Sequence, residues 1–178
     1  HEHIDHVRAL GTLQKKHAAP LYASFGTAAA ISYPAPYLHV FAADETFTIK
    51  DLQIRSFRTS HDAKESVGYR IESSDGSLAV LTDTGFITDD AHDAALGADM
   101  LLLESNHDVI MLKNGSYPYY LKQRIRSEYG HLSNAEAAKT VEALAQRGTA
   151  HFVLAHLSRE SNTPALARSN TEAALSAA

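Results

Sequence analysis

The sequence contains no cysteine and no tryptophan among its 178 residues. Without cysteine the chain can form neither a disulfide framework nor a thiolate zinc site. Any bound metal must therefore be held by histidine and carboxylate side chains, which leaves zinc, manganese and iron open. No stretch approaches the roughly 20 consecutive apolar residues that a membrane-spanning helix needs, so we expect no membrane partner.

An excess of positive charge is also missing. The formal net charge is −5, so the strongly basic surface typical of nucleic-acid-binding domains is absent from the chain as a whole. Apolar residues make up 44% of the chain and charged residues 21%, which is ordinary for a globular domain. The length predicts one domain, residues 1–178, with a sizeable core.

Histidine, by contrast, is concentrated at the start of the chain. The first six residues have the form H-x-H-x-D-H. His1 and His3 alternate, so an extended backbone projects both imidazoles to one side, whereas Asp5 and His6 follow where a helix should begin. This pattern suits two metal ions a few ångströms apart. The alternative is a histidine tag, but tags are consecutive histidines, and here other residues separate them.

The hexapeptide resembles the signature of metallo-β-lactamase-fold hydrolases. Members of that family complete the site with a distant histidine, a bridging aspartate and a final histidine, each at a strand end. The sequence offers His61, Asp83 and His156 in that order. Taken singly, each has an ordinary structural alternative, such as a turn aspartate or a packed histidine. The phrases E-S-N-H-D, G-H-L-S-N and H-L-S-R-E-S-N-T-P are similar to the WalJ/YycJ subgroup, over essentially the whole chain.

The resemblance implies an α/β fold of the αββα sandwich type. Because that family normally has several strands before the H-x-H-x-D-H motif, we expect this chain to lack the N-terminal strands. The residue pattern agrees with the class, since strands dominate early and then alternate with helices. Asp75-Gly76 predicts a type I′ hairpin turn. The apolar run Met100–Leu103 predicts a strand buried on both faces.

Helix signals are clearest in the second half. Thr88 is a candidate N-cap, and Ser133 with Glu136 three residues later has the form of a capping box. The pattern also predicts a helix over Tyr119–Tyr129.

The resemblance also implies a ligand set for two divalent ions, zinc or manganese. One ion would take three histidines, the other would take Asp5 with two histidines, and Asp83 would bridge them. Asp5 would also guide the proton of a metal-bound hydroxide that acts as the nucleophile. The expected metal ligands are His1, His3 and His61 for the first ion, Asp5, His6 and His156 for the second, and Asp83 for both.

Glu104 and His131 form a further candidate catalytic pair. In the related ribonuclease Z branch, a glutamate after the corresponding strand pairs with a histidine that protonates the leaving oxygen. This chain has Leu-Ser where that branch has Ser-Thr. The alternative is that Glu104 caps a helix and His131 merely precedes one. His107, Ser158 and Asn162 are candidate substrate contacts.

The segment Tyr117–Tyr129 interleaves tyrosines with Lys122, Arg124 and Arg126. Such a mixture suits phosphates and stacked bases, although an amphipathic helix with a solvated basic face accounts for it equally well.

Together these features favour a cytoplasmic, metal-dependent phosphodiesterase, with a DNA 5′-exonuclease as the specific expectation and DNA preferred to RNA as the partner. One alternative is a hydrolase of small esters, thioesters or lactams, because the fold alone does not exclude it. Another is a metal-binding regulatory protein without turnover.

Overall fold

Two β-sheets and the helices around them form the structure, a computed structural model that describes residues 1–177. The strands are β1 (Leu21–Ser24), β2 (Leu38–Phe41), β3 (Thr46–Ile49), β4 (Leu52–Arg58), β5 (Val67–Ser73), β6 (Gly76–Leu81), β7 (Met100–Glu104) and β8 (His151–Ala155). The helices are α1 (Ile4–Val7), α2 (Leu10–His17), α3 (Phe25–Ala30), α4 (Asp89–Ala95), α5 (Val109–Asn114), α6 (Tyr119–Ile125), α7 (Asn134–Ala145) and α8 (Pro164–Ala177).

The larger sheet determines where side chains can meet. Its six strands lie in the order β3-β4-β5-β6-β7-β8. Pairing is antiparallel from β3 to β6 and parallel between β6, β7 and β8. Strands β4, β6, β7 and β8 therefore run in one direction, and their carboxyl ends share one edge of the sheet. Strands β1 and β2 form a separate parallel pair.

One face of the larger sheet carries the core. Side chains of β4, β6 and β7 that point to this face pack against α4 and α7, and the cluster is fully or almost fully buried. Alanines on α4 let that helix approach the sheet closely. The largest buried side chains in the cluster are Phe57, Leu81, Leu101, Leu103, Leu132 and Leu144.

The opposite face of β7 is less covered than its apolar sequence predicts. Met100 is 38% exposed, and Val153, which pairs with Leu102 from β8, is 43% exposed. The expectation that Met100–Leu103 is buried on both faces was therefore wrong. Only the alternate residues Leu101 and Leu103 face the helices, so within this structure the strand is protected mainly on one side.

The β5–β6 hairpin exists, but its turn differs from the prediction. Ser73 pairs with Gly76, so the central residues are Ser74 and Asp75. Gly76 has a φ of 144°, whereas Ser74 and Asp75 do not have positive φ. A type I′ turn requires positive φ at both central positions, so that assignment was wrong. The Ser73 hydroxyl instead accepts a hydrogen bond from the Asp75 amide.

A short strand was missed. β2 follows a 3-10 turn at Ala35–Tyr37, in a stretch that contains Pro34 and Pro36. Its first residues are half-buried or exposed, so the sequence lacks the apolar run that reveals a buried strand. Pairing with β1, rather than local propensity, makes it a strand.

Helix starts agree with the cap signals. The Thr88 hydroxyl accepts from the Ala91 amide, and the Ser133 hydroxyl accepts from the Glu136 amide. The Glu136 carboxylate binds Lys139 rather than returning to Ser133, so only half of the capping box forms.

α6 is shorter than predicted. It ends at Ile125, and the following residues make a tight turn in which the His131 amide donates to the Ile125 carbonyl. No helix within residues 1–177 combines the length and hydropathy required to cross a bilayer.

We expect Leu103→Ala to lower the free energy of unfolding by about 2–5 kcal/mol, because it leaves a cavity in a close-packed core. Urea denaturation monitored by circular dichroism would measure this loss. Ile110→Ala is the matched control, since Ile110 is largely exposed and its truncation should change stability little. Equal effects of both substitutions would contradict the assignment of the core.

Candidate metal centre and active-site cleft

The histidines of the opening hexapeptide lie in two kinds of backbone, extended chain and helix. His3 has extended backbone and is the N-cap of α1, which contains Asp5 and His6. The His1 ring lies 4.5 Å from the His3 ring and 4.1 Å from the His6 ring, measured between centroids. The change from extended chain to helix therefore points all these imidazoles at one region.

The distant candidate residues reach the same region from strand ends. His61 lies just beyond β4, Asp83 just beyond β6 and His156 directly after β8. Because these strands are parallel, their carboxyl ends meet at one edge of the sheet. Asp83 and His156 have φ values of 56° and 53°, which non-glycine residues seldom adopt. Strained backbone of this kind concentrates at functional sites.

The seven candidate ligands fall into overlapping clusters. Within each cluster, the ligand atoms lie within 4.8 Å of one another. Asp83 lies between the clusters: its carboxylate oxygens are 3.3 Å from His6 Nε2, 3.5 Å from His156 Nε2 and 3.9 Å from His61 Nε2. The sequence predicts Asp83 as the bridge between two ligand groups, and this assignment stays a prediction. The clusters are His1, His3 and His61; Asp5, His6 and His156; His1, His6 and Asp83; and Asp83, Glu104, His131 and His156.

Two buried polar atoms in this region have no hydrogen-bond partner in the described structure, as expected for ligands of a cation. His1 Nε2 and Asp83 Oδ2 are buried and form no hydrogen bond within the described structure. An unpartnered buried polar atom is costly, and a metal ion would satisfy both. Burial alone would raise the pKa of Asp83, but the His6 and His156 imidazoles outweigh it and hold that pKa far below its usual value. The donor set of imidazoles and carboxylates is one that zinc or manganese accepts.

His61 is fixed by the chain that follows α6. Its Nδ1 lies 3.0 Å from the Gly130 carbonyl oxygen, to which it donates when neutral, leaving Nε2 free to ligate. Burial lowers the pKa of His61, which favours the neutral, ligating form. A carbonyl that orients a histidine ligand is a common supporting arrangement in metal sites.

Glu104 connects two histidines beneath the cleft. Its fully buried carboxylate accepts from His131 Nδ1 and His156 Nδ1 through Oε1, both at 2.7 Å. Oε2 accepts from the Thr84 and Leu132 amides. The predicted Glu104–His131 contact is therefore present, and the contact with His156 is one that the sequence did not reveal.

Electrostatic interactions shift the pKa values of both Glu104 and His156. Burial opposes ionisation of Glu104, but its imidazole partners outweigh that effect and lower its pKa. The Glu104 hydrogen bond raises the pKa of His156 to about 9 in the metal-free protein. A metal bound at His156 Nε2 would displace that proton, while Nδ1 keeps its hydrogen bond to Glu104.

A cleft of about 400 Å³ opens onto His61, His131 and His156. Ser158, predicted as a substrate contact, lines it. The remaining lining includes Leu121, Arg124 and Ile125 of α6, together with Asp62, Asn106, Tyr117 and Arg159. Arg124 is paired with Asp62, so Arg159 is the cation of this lining that is left to face an anionic substrate beside the histidines.

The other two predicted substrate contacts lie elsewhere. Asn162 is buried, and its amide nitrogen donates to Ser105 O, Asn106 O and Asn134 Oδ1. These bonds tie the chain after His156 to the chain after β7. His107 is 2% exposed and its Nδ1 has no hydrogen-bond partner in the described structure. Neither residue lines the cleft, so we assign both to the protein interior.

Asp62 was not predicted, although it directly follows His61. One carboxylate oxygen lies 3.6 Å from His61 Nε2, and the other accepts from Arg124 Nε. Burial alone would raise the pKa of Asp62, but Arg124 outweighs it and lowers that pKa. In the sequence, the one indication of a role for Asp62 is that an acidic residue directly follows the candidate ligand His61. Through Asp62, α6 is connected to the first metal cluster.

The fold and this geometry define an α/β protein whose imidazoles and carboxylates converge at the carboxyl ends of parallel strands. Residues 1–157 match the family model described as the beta-lactamase superfamily domain. The chain belongs to that superfamily, which confirms the resemblance seen in the sequence.

Two curated relatives are similar to most of this chain. The chain is 38% identical to exodeoxyribonuclease YycJ of Bacillus anthracis and 40% identical to exodeoxyribonuclease WalJ of Streptococcus pneumoniae. Each match covers 94% of this chain, but 66% and 65% of the respective relatives. The chain thus spans slightly less than two thirds of the length of the curated relatives it matches.

Solved structures support the fold. The metallo-beta-lactamase fold protein YhfI of Bacillus subtilis aligns with a TM-score of 0.74 at 20% identity, over 99% of this chain and 69% of its own. Zn(2+)-bound PqqB of Methylobacterium extorquens aligns with a TM-score of 0.63 at 23% identity, over 93% and 64%. The predicted metallo-β-lactamase fold is confirmed.

We expect His107 to make folding stability depend on pH. Burial lowers its pKa from 6.5 to about 4. Between these values the unfolded chain binds the proton and the folded chain does not, so stability falls as the pH falls. The contribution lost between pH 7 and pH 5 is about 2 kcal/mol, and it should disappear in His107→Asn.

Urea titrations at pH 7 and pH 5 would measure the difference for wild-type and variant. His92→Asn, at an exposed histidine, is the control. A wild-type loss of stability that persists in full in His107→Asn would contradict the interior role of this histidine.

Proposed function

We propose that the protein is a metal-dependent phosphodiesterase that degrades DNA from the 5′ end with two divalent ions. The observation that carries this proposal is the Glu104 carboxylate, which connects a candidate metal ligand, His156, to a histidine that faces the cleft, His131. One carboxylate would thereby orient both a metal ligand and a proton donor, an arrangement that suits phosphodiester cleavage.

The similar proteins support the substrate class. The relatives from Bacillus anthracis and Streptococcus pneumoniae are both named exodeoxyribonucleases. The cationic Arg159 side chain in the cleft suits a phosphodiester, whereas a neutral ester or lactam has no need of it. We therefore favour the nuclease over the hydrolase of small esters, thioesters or lactams. The convergent ligand set favours turnover over a purely regulatory metal-binding role.

The side chains have distinct tasks. Seven residues would hold the ions: His1, His3, Asp5, His6, His61, Asp83 and His156. Two ions bound there would polarise a phosphoryl oxygen and make hydroxide available near neutral pH. Asp5 is largely exposed and lies 3.8 Å from His156 Nε2, in position to accept a proton from the attacking oxygen.

His131 would supply the leaving-group proton. Its Nδ1 binds Glu104, which leaves Nε2 for the cleft that the ring lines. The buried carboxylate fixes the ring orientation, as a positioned proton donor needs. Protonation matters for DNA because a deoxyribose alkoxide is a poor leaving group. Ser158 lines the cleft, and its Oγ accepts from the Glu160 and Ser161 amides, so its hydroxyl proton would be free to donate to a phosphate oxygen.

We expect the protein to release nucleotides from 5′-labelled single-stranded DNA with Mn²⁺ or Zn²⁺, and EDTA to abolish the release. Asp83→Asn should reduce the rate by at least 100-fold, because it weakens the proposed bridge between both ions. Elemental analysis should find two ions per wild-type chain and fewer in the variant. Gel analysis of matched 5′- and 3′-labelled strands reports the polarity.

Asp89→Asn is the matched control, since Asp89 lies in the first turn of α4 rather than at the site. Wild-type turnover by Asp83→Asn would defeat the proposed metal centre. Metal-dependent release that starts from the 3′ end would refute the polarity alone.

We expect His131→Ala to reduce DNA cleavage by about 100- to 10,000-fold, the usual contribution of a positioned general acid. The loss should be much smaller for bis(4-nitrophenyl) phosphate, because nitrophenolate leaves without protonation. Steady-state rates on both substrates give the comparison. Equal losses on the two substrates would instead assign His131 to metal binding or folding, and far-UV circular dichroism separates the latter.

A further inference from the structure

The candidate ligand His156 has a backbone conformation that a residue with a Cβ disfavours. It directly follows β8, and its φ of 53° lies in the left-handed region, where the Cβ crowds the neighbouring backbone. Residues keep such a conformation only when their surroundings enforce it. The hydrogen bond that His156 Nδ1 donates to Glu104 holds the imidazole, but it does not fix the peptide groups on either side. Other contacts must therefore hold this backbone.

Those contacts come from the two residues that follow β7, Ser105 and Asn106. On one side of His156, the Ser105 amide donates to the Ala155 carbonyl at 3.0 Å, and on the other side the Ser158 amide donates to the Asn106 carbonyl at 2.8 Å. Between them, Asn106 Nδ2 donates to the His156 carbonyl itself at 2.9 Å. The first two bonds use backbone groups, which other residue types also offer. The third bond needs a side-chain donor at position 106, so it is the one that depends on the asparagine.

The Asn106 side chain is fixed in place and in orientation. The Asn106 amide donates to the Leu132 carbonyl at 2.9 Å, and the Asn106 carbonyl accepts a second hydrogen bond from Asn162 Nδ2 at 3.1 Å. Because the His156 carbonyl can only accept, the nitrogen of the Asn106 side chain must face it. Asn106 lines the cleft, but this nitrogen is committed to His156 and is therefore not a donor for the substrate.

A network of buried polar side chains supports Asn106. Ser105 Oγ donates to Asn134 Oδ1 at 2.7 Å, and Asn134 Nδ2 donates to Asn162 Oδ1 at 2.8 Å. Asn162 Nδ2 returns to the Ser105 carbonyl at 2.7 Å. These residues come from the three phrases E-S-N-H-D, G-H-L-S-N and H-L-S-R-E-S-N-T-P. A buried network whose members are hydrogen-bonded in this way is rigid. The phrases thus meet in a rigid base from which Asn106 reaches His156.

We propose that Asn106 is a positioning residue for the second metal ion, the one that Asp5, His6 and His156 would hold. Glu104 fixes the imidazole of His156, and Asn106 fixes its backbone, so the two residues together aim one ligand at the centre. This inference rests on the proposed function, because it assumes a centre of two ions. Without the Asn106 hydrogen bond the affinity for the second ion should fall about 10- to 100-fold, the usual cost of losing a group that orients a ligand. Asn106 donates no hydrogen bond to a ligand of the first ion, whose affinity should be retained.

Calorimetric titration of the metal-free protein with Mn²⁺ at pH 7 tests this selectivity. Asn106→Leu keeps the branched shape of the side chain but removes the donor, and Asn106→Ala removes the donor without adding bulk. We expect both variants to bind the second ion about 10- to 100-fold more weakly and the first ion within about twofold of the wild-type affinity. Far-UV circular dichroism shows which variants are folded, and either variant alone suffices for the comparison.

Two backgrounds assign the loss to one ion. In His3→Ala, which weakens the first site, adding Asn106→Leu should lower the remaining Mn²⁺ affinity by the same factor as in the wild-type chain. In His156→Ala, which removes the ligand through which Asn106 acts, adding Asn106→Leu should change the remaining affinity less than about twofold, because the two residues are coupled. A general loss of structure would instead weaken binding in both backgrounds.

Asn114→Ala is the matched control, since Asn114 is an exposed amide at the end of α5. We expect it to bind both ions as the wild-type protein does. Wild-type affinity for the second ion in the folded Asn106 variants would overturn the proposal. So would an equal loss at both ions, or an undiminished effect of Asn106→Leu in the His156→Ala background.

The proposed function is tested by separate measurements. A wild-type protein that binds a single Mn²⁺ ion would refute the two-ion centre and this inference with it. If the wild-type protein binds two ions and the Asn106 variants bind both as tightly, only the role of Asn106 is refuted. Lack of bis(4-nitrophenyl) phosphate hydrolysis would refute the phosphodiesterase alone, because calorimetry measures metal binding and not turnover.

Discussion

The buried carboxylate of Glu104 is the contact on which the rest of the site depends. It accepts from two imidazoles at 2.7 Å and from two backbone amides, so both oxygens are fully used. A buried charge is tolerated only when it is paired and hydrogen-bonded in this way. Because its partners come from the loop after β6, from the chain before α7 and from the end of β8, one carboxylate aligns three separate parts of the chain.

The sheet makes this arrangement possible. β4, β6, β7 and β8 run in one direction, so the residues that follow them meet at one edge. Core packing on the helix-facing side, around Leu101 and Leu103, fixes the positions of the strand ends. The left-handed backbone of Asp83 and His156 then turns their side chains toward the cluster. The favourable free energy of core packing thereby compensates for the strained backbone of these polar residues, which would not keep this conformation alone.

Glycine positions show how closely the loops approach each other around the centre. A Cβ on Gly130 would lie 2.2 Å from the Ile125 carbonyl oxygen, and one on Gly85 would lie 2.2 Å from the Glu128 carbonyl oxygen. Only glycine permits these contacts. They press the turn after α6 against the strand-end loops, which places the Gly130 carbonyl within reach of His61. The turn after α6 and the candidate ligand His61 therefore pack directly against each other.

The sequence by itself determined the local chemistry: the histidine-rich hexapeptide, the strand-end positions of His61, Asp83 and His156, and the helix caps at Thr88 and Ser133. These signals are short-range, so neighbouring residues suffice to read them. Only the tertiary structure decided the rest. It buried Asn162 and His107, joined Glu104 to His156, placed Asp62 beside Arg124, and made a strand of Leu38–Phe41. Each of these outcomes depends on contacts between residues far apart in the chain, and a linear pattern does not encode which distant group will satisfy a buried polar atom.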